Sequence, residues 1–150
     1  MCKVFKVLTL GLWGGFIYFL IELLWRGHSH PSMFIAGGIC FILIGGLNNW
    51  FSWNLGLLWQ ALIGAIVITV VEFGAGLIVN IWLGLNVWDY SDLPLNLLGQ
   101  ICLPYTALWI PLAAFAVWLD DFLRWKLYGY ERPVLFGKCP DKNARRYKWI

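Results

Sequence analysis

Between residues 31 and 71 the chain reads PSMFIAGGICFILIGGLNNWFSWNLGLLWQALIGAIVITVV and contains no Asp, Glu, Lys or Arg. A soluble domain could tolerate such a stretch only by burying all of it. Over all 150 residues, 61% are hydrophobic and 13% are charged, whereas a typical soluble domain has about 45–50% and about 25%. High hydrophobicity also excludes intrinsic disorder. The composition therefore predicts an all-α, polytopic integral membrane protein.

Four apolar segments approach or exceed the length of about 20 residues that a transmembrane helix needs. They cover residues 7–25, 31–47, 55–85 and 95–119, with an uncharged aromatic turn at residues 48–54. The third would measure roughly 46 Å as an α-helix, whereas the hydrocarbon core is about 30 Å thick. It must tilt, extend beyond the bilayer, or break near Gly74 and Gly76. We expect four transmembrane helices, or five if this segment breaks and crosses twice.

Apart from Arg26, the eleven Lys and Arg residues lie near the two ends of the chain. Lys3 and Lys6 precede the first segment, and eight others lie between Arg124 and Lys148. Because cytoplasmic loops carry an excess of Lys and Arg, we expect both termini in the cytoplasm and an even number of crossings, which favours four over five. The sequence thus divides into a transmembrane domain, residues 1–122, and a basic amphipathic cytoplasmic tail, residues 123–150, and we expect the protein in the plasma membrane.

The basic tail directly follows an apolar segment, so we interpret it as a topology signal or a contact with anionic lipid, not as a nucleic-acid site. The lipid bilayer is the expected partner. Glycine patterns predict close helix packing. They are Gly11-x-x-x-Gly15, Gly37-Gly38 and Gly45-Gly46. Packing within one chain is the first interpretation, and a homodimer is the alternative.

Polar residues inside apolar segments are costly and therefore mark candidate sites. Glu72, Gly76 and Asn80 follow one another at intervals of four residues, so they share a helix face that should contact protein or water. Glu72 is interpreted either as a packing contact or as a functional group in a cavity. Asn96 and Gln100 are expected together on one face of the fourth helix, where packing alone would explain them.

A second polar set lies at the end of the first segment. Glu22 and Arg26 have the spacing and order of a favourable ion pair. His28 and His30 form a His-x-His pattern, which is weak evidence for a metal, so we expect hydrogen bonding or a response to pH, and no metal or cofactor. The loop before the fourth segment adds Trp88, Asp89 and Tyr90 to the candidate cavity.

The sequence contains no Walker loop, GxGxxG, nucleophile elbow, HExxH or CxxCH motif. We therefore do not expect an enzyme. An interfacial enzyme acting on lipid-linked substrates remains an alternative, with His28 or His30 as acid–base and Arg26 as the phosphate ligand.

Several different motifs of polar residues follow one another over roughly residues 11–122. They read Gly15-x-x-Tyr18-x-x-x-Glu22-x-x-Trp25-Arg26-Gly27-His28-Ser29-His30, Met33 with Gly37-Gly38, Glu72-x-x-x-Gly76-x-x-x-Asn80, and Trp88-Asp89-Tyr90-Ser91-x-x-Pro94-x-Asn96-x-x-Gly99-Gln100. As a set they resemble the CmpB-like "putative ABC-transporter type IV" family, which includes the transmembrane protein 229 group. The resemblance implies a role in transport. Since the chain carries no ATPase motif, an ATP-driven role would need an ATPase partner subunit.

The expected function is therefore a small transporter or permease-like component that binds a small polar or anionic solute, or a lipid headgroup, in an intramembrane polar cavity. Arg26 would attract the anion, and Glu72 would titrate or couple protons. The ligand would be oriented by Asn80, Asn96 and Gln100, and Asp89 would hold Arg26 or a histidine while the cavity is empty. The alternatives are proton-coupled export of a cation by a dimer, a structural or assembly subunit, and the interfacial enzyme.

Overall fold

A computed structural model describes residues 3–51, 55–136, 139–140 and 142–150, apart from the side chain of Asn49. The chain is 67% helical, which confirms the predicted fold class. Its helices are α1 (Lys3–Arg26), α2 (Pro31–Gly45), the short α3 (Leu47–Trp50), α4 (Leu57–Gly76) with a π-helical continuation (Leu77–Trp82), and α5 (Leu103–Tyr128). Strands β1 (Arg132–Val134) and β2 (Ala144–Arg146) then pair in parallel.

Three helices in the described part of the chain are long and apolar enough to cross a membrane: α1, α4 with its continuation, and α5. The 15-residue α2 is shorter. Gly46 keeps a right-handed helical backbone and leads directly into α3, so this helical path continues to Trp50 and measures about 30 Å. The number of crossings stays a prediction. Of the predicted aromatic turn, residues 52–54 lie outside the described residues.

The start of α1 and the end of α5 lie at the same end of the bundle. Lys6 Nζ is 3.5 Å from the hydroxyl of Tyr130 and 5.0 Å from the ring centroid of Tyr128. At the opposite end, Arg26 donates to the carbonyl of Val87 at 3.0 Å. We call these the Lys6 end and the Arg26 end. This arrangement agrees with an even number of crossings, and the side on which the termini lie remains a prediction.

Glycines allow α1 to pack closely along α2. A Cβ atom on Gly14 would lie 2.2 Å from Cβ of Phe41, and one on Gly38 would lie 2.8 Å from the carbonyl oxygen of Gly11. Since both distances are far shorter than van der Waals contact, no larger residue fits without moving a helix. The glycine pattern therefore brings helices together within one chain, as the first interpretation predicted.

The third segment is helical over most of its predicted length. It passes Gly74 and Gly76 without a break, changes from α-helix to π-helix at Leu77, and ends at Trp82. Of the three possibilities left open for this long segment, a break near these glycines is therefore not observed, and the helix instead continues as a wider π-helical turn. Such π-helical turns are often found at functional sites.

The fourth helix begins later than predicted, at Leu103 instead of residue 95, with Pro104 in the first turn where proline is tolerated. The placement of Asn96 and Gln100 on a helix is therefore wrong. The Asn96 amide donates to two carbonyls of the preceding loop, at 3.0 and 2.8 Å. Leu95 and Leu98 adopt positive φ values of 52° and 53°, which a helix does not permit.

Residues after α5 belong to the packed structure. The boundary predicted between residues 122 and 123 falls inside α5, which ends at Tyr128. Tyr147 is only 2% exposed, and the amide of Leu57 donates to the carbonyl of Lys148 at 2.6 Å. The core that Tyr147 joins comprises Ile44, Leu47, Leu57, Ala65, Ile68, Trp109, Ala113, Val117 and Tyr147. The C-terminal residues thus cover the start of α4.

Candidate functional site between α1 and α5

A cavity of about 380 Å³ lies between α1 and α5 near the Arg26 end. Because α1 packs along α2 and α5 packs along α4, space is left between the two outer helices. The lining residues are Tyr18, Ile21, Glu22, Trp25 and Arg26 from α1, Tyr90 from the loop, and Tyr105, Leu108, Trp109, Pro111, Leu112 and Phe115 from α5. A smaller space of about 70 Å³, lined in part by Glu72, shares Tyr18 and Trp109 with this cavity.

The predicted ion pair between Glu22 and Arg26 is confirmed. Arg26 donates to Oε1 of Glu22 at 2.8 Å and to the carbonyl of Val87 at 3.0 Å. The second oxygen of Glu22 accepts a hydrogen bond from the hydroxyl of Ser29. The Glu22 side chain is 6% exposed, whereas that of Arg26 is 27% exposed and lines the cavity. Since a guanidinium carries five N–H donors, Arg26 is oriented by these two contacts and can still bind a ligand.

Glu72 lies behind the cavity wall and has a donor for each carboxylate oxygen. The Tyr90 hydroxyl donates to Oε1 at 3.0 Å, and Nε1 of Trp109 donates to Oε2 at 2.9 Å. Glu72 is 6% exposed, which confirms that its helix face contacts protein. Burial, together with the adjacent Glu72, raises the pKa of the Tyr90 hydroxyl above its usual range, so this hydroxyl stays protonated and continues to donate.

Asn80 connects the π-helical segment to the loop before α5 through side-chain hydrogen bonds. Its Nδ2 donates to the carbonyl of Trp88 at 2.9 Å and to Oε1 of Gln100 at 2.8 Å, while its Oδ1 accepts from the amide of Val87 at 2.7 Å. Nε1 of Trp88 in turn donates to the carbonyl of Gln100 at 3.0 Å. The buried residues Asn80, Trp88 and Gln100 were predicted in the cavity but lie outside its lining. They fix the backbone that brings the Val87 carbonyl to Arg26 and Tyr90 into the cavity wall.

The two predicted histidines lie outside the cavity lining. His28 is exposed, and its Nδ1 lies 3.0 Å from the backbone carbonyl of Arg26. His30 caps α2, since its Nδ1 accepts from the amide of Ser32 at 3.2 Å. Within the described residues, no group of three or more His, Cys, Asp or Glu is placed to hold a metal ion.

Asp89 and Asn96 also lie outside the cavity lining and are exposed in the loop. Asp89 accepts hydrogen bonds from the hydroxyl of Ser91 at 2.5 Å and from its amide at 2.9 Å, and these bonds lower the pKa of the Asp89 carboxyl. The expectation that Asp89 holds Arg26 or a histidine is wrong, because Asp89 bonds to Ser91 and Arg26 pairs with Glu22. Asp89 and Asn96 therefore shape the loop.

Sequence reasoning identified Tyr90 but overlooked the other aromatic residues of the site. The rings of Tyr90 and Tyr105 stack at 4.6 Å, and Tyr105 and Trp109 lie 6.0 Å apart, measured between centroids. Tyr18 and Trp25 lie four residues before and three residues after Glu22, and Tyr105 lies four residues before Trp109. This helical spacing places each set on one face and could have revealed both.

Comparison with known proteins gives a match to a family model described as "Putative ABC-transporter type IV", over residues 9–129. The match includes all residues that line the cavity. No curated protein and no solved structure matches the chain.

Proposed function

Because the chain belongs to the family described as "Putative ABC-transporter type IV", we propose that it is a transporter or permease-like membrane component that binds its ligand in the cavity between α1 and α5. The ligand is a small polar or anionic solute or a lipid headgroup. One observation carries this proposal: the side chain of Arg26 is partly exposed in the wall of an otherwise largely apolar cavity.

The surroundings of Arg26 support binding because they hold the guanidinium in place. Glu22 contacts it from within α1, and the Val87 carbonyl contacts it from the loop. A guanidinium fixed in this way loses little conformational freedom when it binds, and its planar donors match phosphate and carboxylate groups. A lone, mobile surface arginine would lack this preorganisation.

Glu72 supports the site indirectly. Its two hydrogen bonds connect Tyr90 and Trp109, which form part of the cavity wall. A change in the protonation of Glu72 would alter both contacts, so the carboxylate is the group through which a proton gradient would act on the cavity. Hydrolysis of ATP would have to come from a partner subunit, since the sequence has no Walker loop. In this proposal both termini face the cytoplasm and the protein resides in the plasma membrane.

Ligand-dependent stabilisation of the purified full-length chain tests this function. The probes are glycerol 3-phosphate, glycerophosphocholine, and dihexanoyl phospholipids with choline, ethanolamine or glycerol headgroups. A ligand present at a hundredfold excess over its Kd stabilises the folded state by about 2.7 kcal/mol. We expect at least one probe to raise the thermal midpoint of the wild type.

Two variants locate the effect. Arg26→Ala should abolish the stabilisation, whereas Arg132→Ala, which removes an exposed basic side chain at the Lys6 end, should preserve it. If no probe stabilises the wild type, or if Arg26→Ala responds as the wild type does, the proposed binding site is refuted. Loss of folding in Arg26→Ala without any ligand would instead support the alternative, in which these polar residues only hold the helices together.

A further inference from the structure

We infer that the cavity between α1 and α5 binds a zwitterionic phospholipid, with the phosphate on Arg26, the ammonium group against the neighbouring aromatic rings, and an acyl chain along α5. This inference rests on the proposed function, because it names the ligand class for the same site. Three features of the cavity support it: the balance of its charges, the position of its aromatic residues, and the sequence of polar and apolar residues along its length.

The charges in the cavity wall cancel. Glu22 and Arg26 are the charged members of the described lining, and they lie 2.8 Å apart. A purely anionic ligand would meet Arg26 together with the Glu22 carboxylate beside it, and would gain little net attraction. A ligand that carries a phosphate and an ammonium group close together has no net charge, so its phosphate can bind Arg26 without a net repulsion from Glu22.

Aromatic residues line the same cavity as this charge pair. Trp25 directly precedes Arg26 in α1, and Tyr90 lies three residues after Val87, whose carbonyl binds Arg26. Tyr105 stacks on Tyr90 and extends the aromatic wall onto α5. Faces of Trp and Tyr rings attract ammonium groups, and quaternary ammonium ligands are commonly recognised in this way.

The wall formed by α5 is apolar and deep enough for an acyl chain. From Tyr105 to Phe115, its lining residues extend about 15 Å along the helix axis, away from the Arg26 end. Leu108 is 46% exposed and Phe115 is 44% exposed. The cavity is therefore open at its side, where a membrane-embedded protein contacts lipid, and a lipid could enter without leaving the bilayer.

Binding affinities for soluble lipid analogues test the inference. The purified full-length chain is titrated with dihexanoyl-phosphatidylcholine, dihexanoyl-phosphatidylethanolamine, dihexanoyl-phosphatidylglycerol and glycerophosphocholine, each below the concentration at which it forms micelles, and Kd is measured by microscale thermophoresis. We expect the two zwitterionic lipids to bind about tenfold more tightly than the phosphatidylglycerol, because only they carry an ammonium group.

A matched pair of tryptophan variants identifies the ammonium site. Trp25→Leu should raise the Kd for the zwitterionic lipids about tenfold and that for phosphatidylglycerol by a clearly smaller factor, because only the zwitterionic lipids lose a contact between their ammonium group and the ring. Trp82→Leu is the control, because Trp82 is similarly exposed, at 79% against 71% for Trp25, but lies outside the cavity lining. Arg26→Lys keeps the charge and removes the planar donor pair, so it should weaken the binding of all three lipids.

The outcomes separate this inference from the function on which it rests. If phosphatidylglycerol binds as tightly as the zwitterionic lipids, or if Trp25→Leu and Trp82→Leu behave alike, the zwitterionic assignment is overturned and an anion site remains. If glycerophosphocholine binds as tightly as the lipids, the acyl-chain assignment is overturned. If none of the probes binds, the inference and the proposed function fail together.

Discussion

Substitution of Gly76 by alanine should detach the loop that completes the cavity. A Cβ atom at this position would lie 2.5 Å from Oε1 of Gln100 and 2.9 Å from its Cβ. Oε1 of Gln100 accepts the hydrogen bond from Asn80, and Cβ of Gln100 can move only together with the loop backbone. Overpacking of this kind costs about 1–3 kcal/mol, and loss of the Asn80 hydrogen bond adds about 1 kcal/mol.

Gly74 provides the matched control, because no atom lies within 4 Å of a Cβ placed there. Gly74→Ala should leave the free energy of unfolding unchanged or raise it by about 0.5–1 kcal/mol, since glycine weakens a helix interior. Both variants are unfolded in mixed micelles, and the loss of helix is followed by circular dichroism. Equal stability of Gly76→Ala and Gly74→Ala would refute the view that the loop is packed against α4 at this point.

Three further predictions concern the hydrogen bonds around the cavity. Tyr90→Phe should lower the free energy of unfolding by about 1–3 kcal/mol, because the buried Glu72 loses a donor; an unchanged value in the same assay would contradict this. Glu72→Gln should be more stable than Glu72→Leu by about 1–3 kcal/mol, since an amide can accept from Trp109 and donate to the Tyr90 oxygen. Equal unfolding free energies of these two variants would count against the role of these hydrogen bonds. Hydrogen bonds from Ser91 lower the pKa of Asp89, so their stabilising effect is present above the unfolded-state pKa and is lost as the pH falls through the folded-state pKa. Ser91→Ala should therefore raise the midpoint of the Asp89 titration, measured by carbon-13 NMR. An unchanged midpoint would exclude this coupling.

Local spacing was sufficient to predict the polar contacts that form within single helices. Glu22 and Arg26 are one turn apart, so their ion pair depends on little beyond helix geometry. Glu72 and Asn80 share a face, and the cost of exposing that face to lipid predicts its burial. The first prediction needs only the partner one turn away on the same helix, and the second needs only the lipid that surrounds a transmembrane helix.

The loop before α5 could not be predicted in this way. Residues 95–102 read LNLLGQIC, which is apolar enough to extend a transmembrane helix. Their conformation depends on the Asn96 hydrogen bonds to loop carbonyls and on the contact between Gln100 and Asn80, which is distant in sequence. Hydropathy does not contain this information, because it counts the apolar residues without regard to where the backbone polar groups find partners.

Apart from Tyr90, the aromatic wall of the cavity was overlooked for a related reason. Eleven Trp and six Tyr in a membrane protein are expected mainly at the interfaces. Whether a given ring faces lipid or a cavity depends on how α1 and α5 are placed, and that placement follows from contacts of each with another helix. Composition thus predicted the abundance of aromatic residues, whereas the tertiary packing determines which of them line the cavity.

A crystal structure grown in a lipidic mesophase doped with phosphatidylethanolamine would examine the occupant of the cavity directly. We predict a lipid lodged between α1 and α5, with its phosphate within hydrogen-bonding distance of the Arg26 guanidinium and its ammonium group facing Trp25 or Tyr105. Ordered lipid elsewhere on the protein, with this space closed by the two helices or filled by protein side chains, would contradict the account.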